Sequence, residues 1–162
     1  MQKYKITDFF APLSVSKKLT KIELEDDGEI PVYSSEILNN GVFGYTNKEP
    51  EFIISKQTPF YLIFGDHTKS MNIAESDFCV MDNVKVLKPK INISILITKY
   101  ITTVWKSSIP NLGYARHWSI AEKNDILLPT TPKGEPDWDY MENYMKNIMQ
   151  NTQSKLDKLV CC

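Results

Sequence analysis

The sequence predicts an α+β fold, in which a mixed or antiparallel β-sheet with a few helices is followed by a long C-terminal helix with a coiled-coil-like seam. Short runs of β-branched and aromatic residues, separated by turns that contain Gly, Asn or Pro, predict the sheet. An Asn-Asn-Gly turn ahead of an alternating run predicts a hairpin within it. The residues after Pro136 contain neither Gly nor Pro, which predicts the final helix.

The strand-like runs lie between residues 30 and 129. The first, residues 30–35, has Pro31 near its start, where a missing backbone donor is tolerated. The turn Asn39-Asn40-Gly41 joins it to the alternating residues 42–46, which completes the predicted hairpin. Further strand-like runs are residues 51–55, 60–64, 78–81, 84–88 and 125–129.

Residues 91–108 have the length of a helix, although they are rich in β-branched side chains. We predict a helix because the span is long and lacks internal Gly and Pro. The following residues 113–120 are predicted to form a loop that leads into a strand.

The C-terminal segment is predicted to be an assembly element. Residues 130–136 form a linker that contains Pro and Gly, and Asp137 can cap the helix that follows. A helix of about 22 residues would be roughly 33 Å long, more than a small domain needs to cover its own core. The chain is therefore divided into a domain of residues 1–130 and a linker with a spacer or dimerisation helix at residues 131–162. The alternative is an ordinary amphipathic helix that lies on the sheet.

The seam of this helix begins with a 3-4-3 spacing, is interrupted at Thr152, and resumes with an offset. The predicted dimerisation residues are Trp138, Met141, Met145, Ile148, Leu156 and Leu159.

Composition indicates one globular domain. The chain has 162 residues, of which 42% are hydrophobic and 24% charged, and it is long enough to bury a core. It has no apolar run of bilayer-spanning length, and its first ten residues lack the apolar centre of an export signal. We therefore expect no membrane contact and a cytoplasmic location. The three cysteines have no metal-ligand spacing, and Cys79, inside an apolar run, is predicted to fill the core.

The net charge of −1 is unevenly distributed. Residues 1–21 carry five Lys and one acid, a net of +4, and residues 22–51 carry eight acids and one Lys, a net of −7. Residues 52–121 carry seven Lys, one Arg and four acids, a net of +4, whereas residues 122–162 carry a net of −2. The polar stretch Phe64–Asn72 thus lies in a basic part of the chain, although chance clustering on a solvated surface is an equal alternative.

The stretch Phe64–Asn72 holds an acid, an imidazole, a hydroxyl and an ammonium group between two strand-like runs. Asp66 and His67 are adjacent, so in an extended segment their side chains point to opposite faces and cannot form a dyad. The sequence has no nucleophile elbow, Walker loop or Gly-x-Gly-x-x-Gly motif, and no carboxylate at helical metal spacing from its two histidines. We predict no catalytic residue, no metal and no cofactor. Two alternatives stay open: a small metal-dependent hydrolase or nuclease that uses Asp66, His67 and His117, and an adaptor that acts only through its helix.

Three polar loops carry groups suited to nucleic acid. Hydroxyls, amides and backbone N–H groups typically contact phosphates, whereas Arg, Lys and Asn can recognise base edges. Arg116, the only arginine, lies in one of these loops, although a structural salt bridge is an equal alternative for it. Gly65 permits a tight departure from the strand, and Asp66 is expected to shape the loop by bonding backbone N–H groups. The predicted DNA-binding residues are Ser34, Ser35, Asn39, Asn40, Tyr45, His67, Thr68, Lys69, Lys106, Tyr114, Arg116 and His117.

Three blocks resemble the target recognition domains of specificity subunits of type I restriction–modification systems, and the related modules of methyltransferase–endonuclease fusion systems. Residues 30–47 resemble the family's strand and Asn-Asn-Gly-x-x-Gly-Tyr hairpin. Residues 64–89 resemble its Gly-Asp loop and Asn-Val-x-Val-Leu-x-Pro strand, and residues 126–148 resemble its exit into a spacer helix. The blocks occur in the family's order, and the resemblance covers most of residues 1–160.

The resemblance implies a DNA-reading domain without chemistry of its own. Such a domain carries a methyltransferase subunit to an asymmetric half-site in double-stranded DNA, and a restriction subunit is a further candidate partner. The resemblance also implies that the C-terminal helix belongs to an antiparallel spacer. A complete specificity subunit has two recognition domains and two spacer helices, whereas this chain has one of each. We therefore expect either a half-subunit that forms a homodimer through its C-terminal helix, or one domain of a longer chain.

Overall fold

A computed structural model describes residues 1–113 and 115–160, without the Val160 side chain. The predicted DNA contact Tyr114 and the terminal Cys161 and Cys162 lie outside the described residues. Two short 3-10 turns, at Lys21–Glu23 and Asn39–Gly41, accompany the strands and α-helices of this part of the chain. In chain order these are β1 (Gln2–Tyr4), α1 (Ile6–Phe9), β2 (Phe10–Leu13), β3 (Ile30–Tyr33), β4 (Val42–Thr46), β5 (Tyr61–Gly65), β6 (Met71–Ala74), β7 (Cys79–Val80), β8 (Val84–Pro89), α2 (Ile95–Ser108), α3 (Trp118–Ala121), β9 (Ile126–Leu128) and α4 (Trp138–Val160).

The strands form three sheets. The central sheet has the order β2-β8-β5-β6, and all of its neighbouring strands are antiparallel. In the second sheet, β3 pairs antiparallel with β4, as the predicted hairpin requires, and parallel with β7. Strands β1 and β9 form a separate antiparallel ribbon. The predicted α+β class with antiparallel and mixed sheets is therefore confirmed.

The central sheet is buried on both faces, which explains why β5 is an uninterrupted apolar run. Successive side chains of a strand point to opposite faces. Leu62 and Phe64 belong to the main core with Trp105 of α2, whereas Tyr61 and Ile63 belong to a second cluster shared with the sheet of β3, β4 and β7. Polar residues on either face of this strand would remove apolar contacts from one of the two clusters.

Helix α2 confirms the helix predicted within residues 91–108. Ser94 is its N-cap, and the Ser94 side chain accepts the Ile97 N–H at 3.1 Å, which satisfies one of the free donors of the first turn. In the last turn of α2, the buried Trp105 ring donates its Nε1–H to the Ala121 carbonyl at 2.9 Å. This bond fixes the segment after α2 against the helix.

Two of the predicted strands are wrong. Residues 113–120 do not lead into a strand, because the chain turns into the one-turn helix α3, where the Ala121 N–H bonds the His117 carbonyl at 2.8 Å. Residues 51–55 form only a bridge between Phe52 and Phe78. The Asp77 carboxylate accepts the Ile54 N–H at 2.7 Å. A side chain therefore occupies the place of the backbone carbonyl that a neighbouring strand would supply.

The start of α4 packs into the domain. The turn before it closes through the Thr131 N–H and the Glu135 carbonyl at 2.8 Å, and Asp137 caps the helix by accepting the Tyr140 N–H at 3.0 Å. Met141 is fully buried in the main core, and the Trp138 ring meets Phe9 edge-on at 5.6 Å between centroids. Residues 130–136 are thus a folded turn and not a detached linker. The division at residue 130 stays a prediction.

Beyond its second turn, α4 leaves the core. Every residue from Lys146 to Leu159 is exposed, a length of roughly 21 Å at 1.5 Å per residue. No helix within the described residues is long and apolar enough to cross a membrane.

Candidate nucleic-acid interface

Two of the loops predicted to contact nucleic acid meet in one groove. The groove has a volume of about 760 Å³; the β3–β4 connection contributes Ser34 and Ser35 to it, and the β5–β6 loop contributes His67 and Thr68. The Ser35 hydroxyl accepts the His67 N–H at 3.1 Å and lies 3.3 Å from Thr68 Oγ1. These hydrogen bonds hold the two loops together, although they are more than thirty residues apart in the chain. We call this the hydroxyl groove.

Gly65 makes the close approach of these hydroxyls possible. A Cβ atom at Gly65 would lie 2.2 Å from Ser70 Oγ, 2.8 Å from Ser35 Oγ and 2.9 Å from Thr68 Oγ1. The loop then closes tightly, because the Gly65 N–H bonds the Ser70 carbonyl at 2.9 Å and Lys69 adopts a left-handed φ of 55°. Position 65 therefore requires glycine because these hydroxyl side chains leave no room for a Cβ atom, and not because its φ is positive.

Asp66 links the β5–β6 loop to two other segments, at Asn83 and at His117 and Trp118, and its side chain points into the protein. Its N–H donates to the Asn83 carbonyl at 2.8 Å, and its carboxylate Oδ1 accepts the Trp118 N–H at 2.7 Å. Its own carbonyl accepts the His117 N–H at 2.9 Å. Because the side chain is only 2% exposed, these bonds lie inside the protein. The Asp66 side chain thus bonds a backbone N–H group, but that group belongs to Trp118 in a distant segment and not to its own loop, as the prediction had assumed.

His117 is a positioning residue, which corrects its prediction as a DNA contact. The side chain is 1% exposed. Its Nε2 accepts the Leu112 N–H at 3.2 Å, which assigns the proton to Nδ1, and Nδ1 donates to the Asp66 carbonyl at 2.9 Å. Both ring nitrogens are therefore bonded within the chain, out of reach of DNA. From here on, Asp66, His117 and the Trp118 N–H are called the Asp66 clamp.

The clamp holds the segment that carries Arg116 beside the β5–β6 loop. Arg116 is exposed and directly precedes His117. The Lys18 ammonium, bonded at 2.8 Å, holds the pKa of Asp82 below its ordinary value, and the charge of Arg116 adds to this effect. Asp82 itself lines the hydroxyl groove.

Two lysines lie at the C-terminal end of α2. The Lys69 ammonium donates to the Ile109 carbonyl at 3.1 Å, where a cation also favours the negative end of the helix dipole. Lys106 is exposed on the last turn of the same helix. The structure therefore brings Lys69 of the Gly65–Ser70 loop to the end of α2 that carries Lys106, although the two lysines are far apart in the sequence.

The remaining predicted contacts lie in a second groove, of about 540 Å³, between the hairpin, β6 and α2. Asn39, Asn40 and the exposed Tyr45 line it. Asn39 and Asn40 adopt left-handed φ values of 49° and 51°, which Asn tolerates better than most residues. This groove also contains Lys99 of α2, which was not predicted.

Lys21 and Asn83 also line the hydroxyl groove and were not predicted. Lys21, from the basic N-terminal segment, lines the hydroxyl groove, and its ammonium lies 5.1 Å from the Phe43 ring centroid. Asn83 has a left-handed φ of 65° and lines the same groove. The Asp-Asn pair between two strand-like runs was a signal for this turn, whereas nothing in the sequence distinguishes Lys21 and Lys99 from other surface lysines.

The hydrolase alternative finds no support in this arrangement. It requires the Asp66 carboxylate and the His117 ring to act together, but the ring bonds the Asp66 backbone carbonyl and the carboxylate bonds the Trp118 N–H. Within residues 1–113 and 115–160, no group of three or more His, Cys, Asp and Glu side chains could hold a metal ion.

The predicted dimerisation residues divide into two sets. Met141 is fully buried and Trp138 packs against the core, so these two are corrected to core residues of this domain. Met145 is half-buried at the boundary. The exposed set consists of Ile148, Leu156 and Leu159, whose exposed fractions are 42%, 50% and 73%. At about 100° per residue, the exposed set continues the face that Met141 buries.

Three similarities to known proteins accompany this geometry. The sequence model of the type I restriction modification DNA specificity domain matches residues 1–159. The specificity subunit S.BcgI of the type II restriction enzyme BgcI from Heyndrickxia coagulans is 26% identical over 128 residues, which cover 78% of this chain and 37% of that protein. The S subunit of a type I restriction-modification system from M. genitalium shares the fold, with a TM-score of 0.65 and 12% identity over 99% of this chain and 41% of its own. The chain thus spans less than half the length of either relative.

Proposed function

The chain belongs to the family of type I restriction modification DNA specificity domains, and from this premise we propose that it directs a methyltransferase or endonuclease complex to one half of an asymmetric site in double-stranded DNA. The match of the family model to residues 1–159 carries the proposal. The hydroxyl groove supports it, because small hydroxyls and backbone N–H groups are common phosphate ligands. The domain itself supplies recognition and no chemistry.

The residues around the hydroxyl groove divide by chemistry. Ser35 and Thr68 contact phosphate oxygens, and Lys69 and Lys106 add positive charge beside them. Arg116 reads a base, because its planar guanidinium can donate two hydrogen bonds to the O6 and N7 atoms of guanine. The Asp66 clamp fixes His117, the residue that follows Arg116, and so sets where Arg116 meets the DNA.

The exposed half of α4 is the assembly element of the proposal. Ile148, Leu156 and Leu159 would lose water-exposed apolar surface on pairing with a second spacer helix. That helix comes from a second copy of the chain, or from a second domain if this sequence is part of a longer specificity subunit. A methyltransferase subunit docks on the pair, and a restriction subunit joins the complex.

The DNA-binding proposal is tested with the complex of this chain and its methyltransferase subunit. The methylated motif is found by sequencing host DNA, and binding to a duplex with this motif is measured by fluorescence anisotropy over a range of salt concentrations. Arg116→Ala should weaken binding by about 1–3 kcal/mol and relax specificity at one base pair. Lys69→Ala should weaken binding to all sequences and lower the salt slope. Lys133→Ala is the control, since Lys133 is exposed in the turn before α4, outside the three loops predicted to contact DNA.

Unchanged binding by both variants, with folding intact, would remove these two residues from the interface. Binding that is lost on chelation, together with metal-dependent DNA cleavage by the purified chain, would favour the hydrolase alternative.

The assembly proposal is tested by molar mass in solution. Ile148→Lys with Leu156→Lys should separate the paired helices, because each would bury an unpaired charge. Ser154→Lys is the matched control, since residue 154 is exposed on the opposite side of α4. A wild-type chain that stays monomeric at high concentration, with and without the methyltransferase subunit, would contradict the role of this helix.

A further inference from the structure

We propose that Ile37 and Leu38, at the tip of the β3–β4 connection, recognise thymine by apolar contact with its C5-methyl group in the DNA major groove. The inference rests on the proposed function and adds a base preference to it. We call these two residues the apolar tip.

The apolar tip is exposed beside the groove that is proposed to hold DNA. The exposed fractions of Ile37 and Leu38 are 69% and 77%, and both side chains line the rim of the hydroxyl groove together with Ser35 and Thr68. Single exposed aliphatic residues are common on protein surfaces. Here two adjacent exposed aliphatic residues share a groove with hydroxyls suited to phosphates. If the hydroxyls bind the DNA backbone, the aliphatic side chains can contact the neighbouring base edges.

Hydrogen bonds and left-handed residues in the turn that follows hold the backbone at the C-terminal end of the apolar tip. The Gly41 N–H bonds the Leu38 carbonyl at 2.9 Å, and the Asn39 side chain donates to the Val42 carbonyl at 3.2 Å. Three successive residues, Asn39 to Gly41, hold left-handed φ values of 49°, 51° and 83°. A tip that is ordered before binding loses little conformational entropy on contact with DNA, so its apolar burial contributes more of its free energy to binding.

The chemistry of the tip and its neighbour selects an A·T pair. Ile and Leu side chains carry no hydrogen-bonding group, and in the major groove the thymine methyl is the apolar feature of the base edges. Asn40 is exposed two residues after Leu38 and lines the second groove. An Asn side chain can pair with N6 and N7 of adenine, which is the chemistry that complements methyl recognition at an A·T pair.

The test uses the complex with the methyltransferase subunit and the duplex that carries its methylated motif. Thymines of the half-site are replaced one at a time by deoxyuridine, which removes only the methyl group. At one position, wild-type binding should weaken about fourfold, as expected for about 0.8 kcal/mol per buried methyl. In the variant Ile37→Ser with Leu38→Ser, the same deoxyuridine replacement should have no effect on binding. The double-mutant cycle of protein and DNA changes then gives the coupling between the apolar tip and the methyl group. Ile53→Ser is the control, because Ile53 is 53% exposed and lines neither groove.

Four results would overturn the inference while leaving the proposed function intact. They are a half-site without an A·T pair, no effect of uracil at any position in the wild type, an equal uracil effect in wild type and variant, and loss of the methyltransferase subunit by the variant, which would make the tip a protein-docking surface. Strong 2-aminopurine fluorescence on binding would likewise replace methyl recognition by insertion between base steps. A complex that prefers no DNA sequence would instead refute the proposed function itself.

Discussion

Replacing Asp66 by Ala should weaken the attachment of the segment that carries Arg116 to the β5–β6 loop. The Asp66 side chain is 2% exposed, and its Oδ1 accepts the Trp118 N–H at 2.7 Å. A buried donor that loses its acceptor costs about 1–3 kcal/mol. We therefore expect the free energy of unfolding to fall by about 2 kcal/mol in Asp66→Ala.

Asp66→Asn is the matched variant, because its amide oxygen can accept the same Trp118 N–H. The backbone bonds of residue 66 to Asn83 and His117 do not depend on the side chain and should persist in both variants. The Asn variant should therefore lose less than half of what the Ala variant loses. The assay is urea unfolding followed by tryptophan fluorescence, which reports on Trp105 and Trp118 near Phe64.

An Ala variant as stable as the wild type would show that the carboxylate bond does not hold the segment. Equal losses in the Ala and Asn variants would show that the negative charge, and not the hydrogen bond, is the stabilising feature. In the complex with the methyltransferase subunit, Asp66→Ala should also weaken binding at the base pair that Arg116→Ala affects. A uniform loss over all positions would contradict the positioning role of the clamp.

Three further predictions concern the loop, an acid-sensitive contact and the core. Gly65→Ala should cost about 1–3 kcal/mol in urea unfolding and weaken DNA binding, because its Cβ would lie 2.2 Å from Ser70 Oγ. The hydrogen bond from the Lys48 ammonium, with further bonds to Thr20, lowers the pKa of Glu23 to about 2. The ionised Glu23 carboxylate therefore contributes its full stabilisation above pH 4.5 and loses it as the pH falls towards 2. In Glu23→Gln the melting temperature should accordingly depend less on pH over that range. Met141→Ala should cost about 2–5 kcal/mol in urea unfolding, because the side chain is fully buried; a loss below 1 kcal/mol would place it outside the core.

Local patterns account for the elements that the sequence predicts well. The apolar run of β5, the Asn-Asn-Gly hairpin and the length of α2 depend on side-chain periodicity, turn chemistry and the absence of Gly and Pro, all of which act between residues close in the chain. The same holds for Asp137 as a helix cap, which accepts the N–H of Tyr140 three residues further along the chain. The order of the three sequence blocks, which needs no tertiary structure, also indicates the family.

Contacts between distant segments decided the rest. The sequence alone determined an α+β domain with DNA-suited loops and a long final helix. Only the tertiary structure buried His117 against the Asp66 carbonyl, 51 residues away, and placed Met141 in the core while leaving Leu156 exposed. A histidine or a helical seam carries the same local pattern whether it faces solvent, a partner or its own core. What distinguishes these outcomes is the surface that the folded chain brings against each side chain.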